Sequence, residues 1–132
     1  MEAQSLDANV LLRLVVADIP AQSEAAIKLV EQSKLLHVAD TAVIEVVFAL
    51  ERYYEMDRST ISQVIGALLT HPKLRLNKAL FTEAMPLFVS HSKLSMEDCC
   101  LATYAKLNKA LPLWTFDRKL ARQCPEQCRL LG

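Results

Sequence analysis

Four acidic residues, Asp7, Glu45, Asp98 and Asp117, stand far apart in this sequence, each where a strand gives way to a helix or in the first turns of a helix. Carboxylates offer only oxygen ligands. Such a set suits Mg²⁺ or Mn²⁺, whereas zinc prefers the His and Cys that the set lacks. Two carboxylates about 5 Å apart repel by roughly 3 kcal/mol at an effective dielectric near 20, so four together require a cation or protons. A cation held there lowers the pKa of bound water, places it in line with a phosphodiester and neutralises the leaving oxygen, which is phosphodiester hydrolysis. Asn9 and Thr115 stand beside the set as polar supports able to orient a carboxylate or a metal-bound water.

Each of these residues also has a plainer reading. Asp7 and Asp117 are placed as ordinary helix caps. Asp98 follows Ser95 by three residues, the spacing of a capping box. Glu45 falls opposite the Val43, Val47 and Leu50 stripe on a helical wheel, as a solvated residue does. The combination favours chemistry, because Ala42, Phe48 and Ala49 around Glu45, and Leu101, Ala102 and Ala105 around Asp98, should leave each carboxylate half enclosed and in need of a partner.

The elements that must position these groups can be read from hydrophobic periodicity. EAQSL is a short strand ending near Leu6, with a turn at Asp7 to Asn9 and a helical stretch from Val10. Pro20 opens a second helix. LLHVA is a second strand, after which Asp40 or Thr41 caps the long helix TAVIEVVFALERYYEM. Asp57, Ser59 or Thr60 starts another helix, which stops at His71-Pro72. Lys73 to Leu76 is a weak strand, NKALFTEAMPLFVSHS a helix with a kink at Pro86, and Ser95 opens the helix MEDCCLATYAKLNKAL. PLWTF is a strand, Asp117 caps the short helix RKLAR, and Cys128 to Leu131 is a last short strand. Strands separated by helices throughout predict an α/β fold, a parallel sheet of four to five strands with helices on both faces and right-handed crossovers. Ligand sites in such sheets lie beyond the carboxyl ends of the strands, which is where Asp7, Glu45 and Asp117 are expected. Asp98 joins them if its helix runs antiparallel to the PLWTF strand, as a crossover requires.

Composition bounds the rest. The 132 residues fit one domain, 1–132, and an apolar fraction of 52% with two glycines describes an ordered globule. Fifteen Lys and Arg equal fifteen Asp and Glu, so no global basic field advertises nucleic-acid binding and any RNA contact must come from local patches. Arg13, Arg118, Lys119 and Arg122 lie near the expected edge and are candidates for steering RNA, though a solvated charge run explains them equally. His37, His71 and His91 are scattered without ligand spacing. The four cysteines read as reduced core thiols, since Cys99 and Cys100 are adjacent in a helical pattern and the CPEQC spacing of Cys124 and Cys128 matches no common redox or zinc motif. The apolar runs are too short for a membrane span and the first residues lack the form of a signal peptide, so the cytoplasm is the expected compartment.

As they stand in SLDANVLLRL, AVIEVVFALERYYEMDRSTI, SMEDCCLA and LWTFDRKLAR, these residues resemble the PIN-domain ribonucleases, and among them the VapC-type toxins of bacterial toxin–antitoxin pairs. The resemblance covers essentially the whole chain. It implies a three-layer α/β/α sandwich with strand order 3-2-1-4-5, a metal-dependent endoribonuclease acting on RNA, and Asp7, Glu45, Asp98 and Asp117 as the Mg²⁺ or Mn²⁺ ligands, with Asn9 and Thr115 beside them. It also implies a homodimer and a cognate antitoxin protein that wraps the toxin and blocks the site. Many relatives carry an extra acidic residue just before the late Asp. Here Ser95 and Met96 occupy that stretch and Glu97 sits beside Asp98, which is taken as the ligand.

Other classes fit less well. A haloacid-dehalogenase-like phosphatase needs a second Asp where this chain has Asn9. A receiver-like signalling domain needs a phosphoacceptor Asp after the third strand and a late strand-end Lys. A housekeeping PIN-domain RNA-processing nuclease keeps both the fold and the chemistry, whereas a catalytically inactive PIN-fold interaction module keeps the fold and drops the chemistry, and the complete acidic set argues against it.

Overall fold

The strand β1 (Gln4–Leu6) pairs in parallel with β2 (Leu36–Val38), with Gln4, Ser5 and Leu6 opposite Leu36, His37 and Val38. In turn β2 pairs in parallel with β3 (Leu74–Arg75). These assignments come from a computed structural model that describes residues 3–132. Glu2, where the sequence reading begins the first strand, lies outside the described residues. The pleat puts alternate side chains on opposite faces, so Leu36 and Val38 are buried while His37 between them is exposed.

Parallel neighbours need a crossover. The helices α1 (Ala8–Val15) and α2 (Pro20–Gln32) supply the first, and α3 (Asp40–Arg52) and α4 (Arg58–Leu69) the second. The helix α1 starts at once after β1 rather than at Val10, because the Asp7 carboxylate accepts the Val10 N–H at 3.0 Å and closes the first turn. Neither Asp40 nor Thr41 caps α3. Ala39 holds that position without a side-chain bond, and the Asp40 carboxylate instead accepts the Asn77 amide at 3.2 Å. Asp57 does cap α4, accepting the Thr60 N–H at 2.8 Å. Leu11, Leu36, Val43, Leu50, Ile61 and Ile65 are fully buried, each burial worth roughly 1.5–3 kcal/mol. These elements form one compact unit that ends at Asn77.

A second compact unit begins at Lys78. Its helices α5 (Lys78–Ser90) and α6 (Met96–Leu107) pack on each other. Pro86 lies inside α5, which runs on past it to Ser90. Proline leaves the carbonyl four residues earlier without a partner, and Thr82 is exposed, where water can serve instead. The strand β4 (Leu113–Thr115) leads through α7 (Arg118–Gln123) to β5 (Cys128–Leu130), which pairs in parallel with β4. Phe81, Phe88, Leu94 and Cys99 are fully buried. All four cysteines are buried thiols, in keeping with the core role expected of them.

The fold class is therefore α/β with parallel pairing, and the runs 3-2-1 and 4-5 of the expected order are each formed, as a three-stranded and a two-stranded sheet. No helix among the described residues is long and apolar enough to cross a membrane.

Candidate functional site

In the first unit the site begins at the carboxyl end of β1. The pairing of Leu6 with Val38 sets Asp7 level with Ala39 at the start of α3, so both strands deliver their following helices at one edge. Asp7 is exposed, and among the described residues only its Oδ1 is engaged, by the Val10 N–H. Glu45 lies in the second turn of α3 and is exposed. The half enclosure expected for it is not present, since α3 buries Val43, Val46, Val47 and Leu50 and leaves Phe48 46% exposed on the open side. The solvated-face pattern of the helical wheel prevails there.

Asp7, Asn9 and Arg13 meet at a groove of about 350 Å³ between α1 and α2, floored by Val10, Ala26 and Leu29. Asn9 and Arg13, four apart, stand on one face of α1, and the cap residue Asp7 lies at the head of the same helix. The Arg13 charge is already matched: its guanidinium forms an ion pair with Asp18, whose other oxygen accepts the Tyr54 hydroxyl at 2.6 Å. The Arg13 Nε is buried without an acceptor among the described residues. Nothing in the spacing of Arg13, Asp18 and Tyr54 announced this brace, which ties the α1–α2 connection to the end of α3.

The Tyr54 hydroxyl, and after it the Arg13 guanidinium, hold the Asp18 carboxyl below its ordinary value of 3.8. A depressed folded-state pKa contributes stability that is complete above the ordinary value and is lost as pH falls through the lowered one. Tyr54→Phe removes the leading cause, so the Asp18 titration midpoint should rise toward 3.8, as carboxyl NMR would record. The stability gap between variant and wild type should close in acid.

In the second unit, Ser95 and Asp98 form the full capping box expected of their spacing. The Ser95 Oγ accepts the Asp98 N–H at 3.0 Å, and Asp98 Oδ2 accepts the Ser95 N–H at 3.2 Å. Asp98 is half-buried at the start of α6, which contacts β4, and Glu97 beside it is exposed. Burial pushes the Cys128 thiol up to about 11, with the neighbouring Cys124 and Asp98 adding to the effect, so these sulfurs are poor nucleophiles. Asp117 follows β4. Its Oδ1 accepts the N–H groups of Lys119 at 2.9 Å and Leu120 at 3.1 Å, capping α7. The Thr115 hydroxyl accepts the Asp117 N–H at 2.9 Å, so Thr115 supports the backbone under Asp117. Arg118, Lys119 and Arg122 are exposed on α7, with no carboxylate pairing them among the described residues.

All three aspartates are thus caps, and in each case one oxygen is bound by backbone N–H groups while no protein donor among the described residues reaches the other. Within each unit, among the described residues, no three His, Cys, Asp or Glu side chains converge to hold a metal ion. The donor chemistry nonetheless fits a hard divalent cation, because an open carboxylate oxygen held in place by a cap is the kind of ligand Mg²⁺ or Mn²⁺ takes.

Residues 5–124 match the family model described as PIN domain, a span that includes all four acidic residues. Among curated proteins nothing matches.

Proposed function

This chain belongs to the PIN-domain family, a family of nucleases, and from that premise we propose that it is a Mg²⁺- or Mn²⁺-dependent endoribonuclease acting as the toxin of a toxin–antitoxin pair. The observation that carries the metal-dependent reading is the shared state of Asp7, Asp98 and Asp117: each carboxylate is oriented through one oxygen by a helix N-terminus and has the other open among the described residues. A cap and a metal ligand are compatible roles for one carboxylate. Together with Glu45 these residues would hold the cation, which when bound supplies an activated water and charge neutralisation at the phosphodiester.

The chain's own groups do the remaining work. Thr115 fixes the peptide N–H of Asp117, and the cap fixes its Oδ1, so the side chain's open oxygen is presented at the end of β4. Arg118 and Lys119, directly after it and unpaired by acids among the described residues, are placed to receive the phosphates of an RNA strand. Asn9, exposed in the first turn of α1, can hydrogen-bond a water or a phosphate beside Asp7. The homodimer and the antitoxin partner belong to the same reading and rest on the resemblance of the motifs.

The test is incubation of purified protein with total RNA in Mg²⁺, Mn²⁺ or chelator, followed by mapping of cut ends. Internal cuts that need either cation support the reading, and cleavage that ignores chelation overturns the metal. The toxin role predicts growth arrest on expression, relieved by co-expressing the product of an adjacent small gene. The exposure of Glu45 and the lack of convergence within either unit among the described residues favour one competing use, an inactive interaction module, which predicts no cleavage in any cation.

A further inference from the structure

The two-stranded β4–β5 ribbon carries an exposed aromatic and cationic face that the acidic site does not use. Trp114 and Arg129 are paired directly across the ribbon, so their side chains share a face, and the Arg129 guanidinium lies 5.5 Å over the indole ring. Leu113 and Thr115 on either side are half-buried, whereas Trp114 is 53% exposed. Two residues on, immediately before Asp117, Phe116 is 77% exposed. Large aromatics left in water at this level and clustered on one ribbon make this face a candidate binding surface.

The surroundings identify the occupant. Residues 111–132 hold Arg118, Lys119, Arg122 and Arg129 against only Asp117 and Glu126, a local basic excess in a chain whose charges balance overall. None of the four cations has a carboxylate partner among the described residues. Exposed rings beside cations that no carboxylate neutralises offer π-faces for bases and charge for phosphates, which is how sequence-tolerant single-strand binding is built. Trp114 and Phe116 are spaced roughly 6–7 Å along the chain, room for successive bases rather than one. A protein partner would be expected to meet an apolar core free of so many uncompensated cations.

Resting on the nuclease reading, we propose that Trp114, Phe116 and Arg129 form a stacking platform for single-stranded RNA, which delivers the strand to Asp117. Bases stack on Trp114 and Phe116, and Arg129, Arg118 and Lys119 take the phosphates. A duplex, whose bases are already stacked, is a poor ligand for such a surface.

Trp114 is the only tryptophan in the chain, so its fluorescence reports on the platform alone. Intact protein in chelator is titrated with a single-stranded RNA octamer, with a duplex of equal length, and with inorganic polyphosphate. Saturable quenching by the single strand, much weaker quenching by the duplex and none by polyphosphate support the proposal. Trp114→Leu and, separately, Phe116→Ser should weaken binding of a labelled octamer roughly ten- to a hundredfold by anisotropy. The high exposure of Phe116 keeps that variant informative if Trp114→Leu folds poorly. No quenching, or equal quenching by polyphosphate, overturns stacking. Quenching that grows with protein concentration without RNA, with self-association lost in Trp114→Leu, overturns it in favour of an interface between copies. Because chelator suppresses cleavage, the titration reads stacking independently, and absence of cleavage in Mg²⁺ and Mn²⁺ would overturn the nuclease reading alone.

Discussion

Asp7→Asn is expected to lower RNA cleavage by at least about a hundredfold while leaving melting temperature and circular dichroism close to those of the wild type. The magnitude follows from metal-site chemistry, in which loss of a residue that merely orients a ligand already costs roughly ten- to a hundredfold. The preserved fold follows from the cap. Asp7 Oδ1 accepts the Val10 N–H, and an asparagine carbonyl oxygen accepts the same bond, since Asn and Asp are near equals at this position. What the substitution removes is the negative charge and the basicity of the open oxygen. Asp7→Ala should differ by also losing the cap, at a cost of about 1 kcal/mol. Comparing the two variants by cleavage rate and by urea unfolding separates the roles. A folded Asp7→Asn protein that cleaves RNA as the wild type does would remove Asp7 from the site.

The same divided use of a carboxylate explains what was legible in the sequence. Asp7, Ser95 with Asp98, and Asp117 were readable as helix starts because a cap needs only a short acceptor at a fixed offset, and all three caps are formed. The strands are readable where apolar and polar residues alternate, as in Leu36, His37 and Val38, and at PLWTF from its Trp, Thr and Phe. The start of α3 was misplaced because its acidic residue is drawn to Asn77, a partner 37 positions away that no local pattern reveals. Glu45 was expected half enclosed because its neighbours in sequence are apolar. The helix turns those neighbours unequally, burying Ala42 and exposing Phe48, and the carboxylate goes with the open side. Trp114 and Phe116 passed as ordinary strand residues because burial on a two-stranded ribbon is decided by what covers each face. Arg13 read as a cation for RNA, and only the long-range contact between Asp18 and Tyr54 shows how its charge is matched.

Asp98→Asn is expected to reduce cleavage by at least about a hundredfold, and a pair of neighbouring substitutions tests whether the cause is the carboxylate charge or the helix start. Asp98 Oδ2 accepts the Ser95 N–H, which the carbonyl oxygen of an asparagine at this position can also do, so the variant should keep the reciprocal cap and its stability. Ser95→Ala does the reverse. It removes the hydroxyl that accepts the Asp98 N–H, costing about 1 kcal/mol, yet leaves the charge in place and should cleave RNA at close to the wild-type rate. Glu97, one position earlier in the first turn, is exposed, and its carboxylate takes no part in the capping box. Successive helical residues point about 100° apart, so Glu97 and Asp98 cannot present their carboxylates in the same direction. Glu97→Gln should therefore leave the rate within about twofold if Asp98 is the ligand. Measured together in Mg²⁺ and Mn²⁺, loss of cleavage in Glu97→Gln with retention in Asp98→Asn would transfer the role to Glu97. Loss in Ser95→Ala in proportion to its lost stability would reduce Asp98 to a cap.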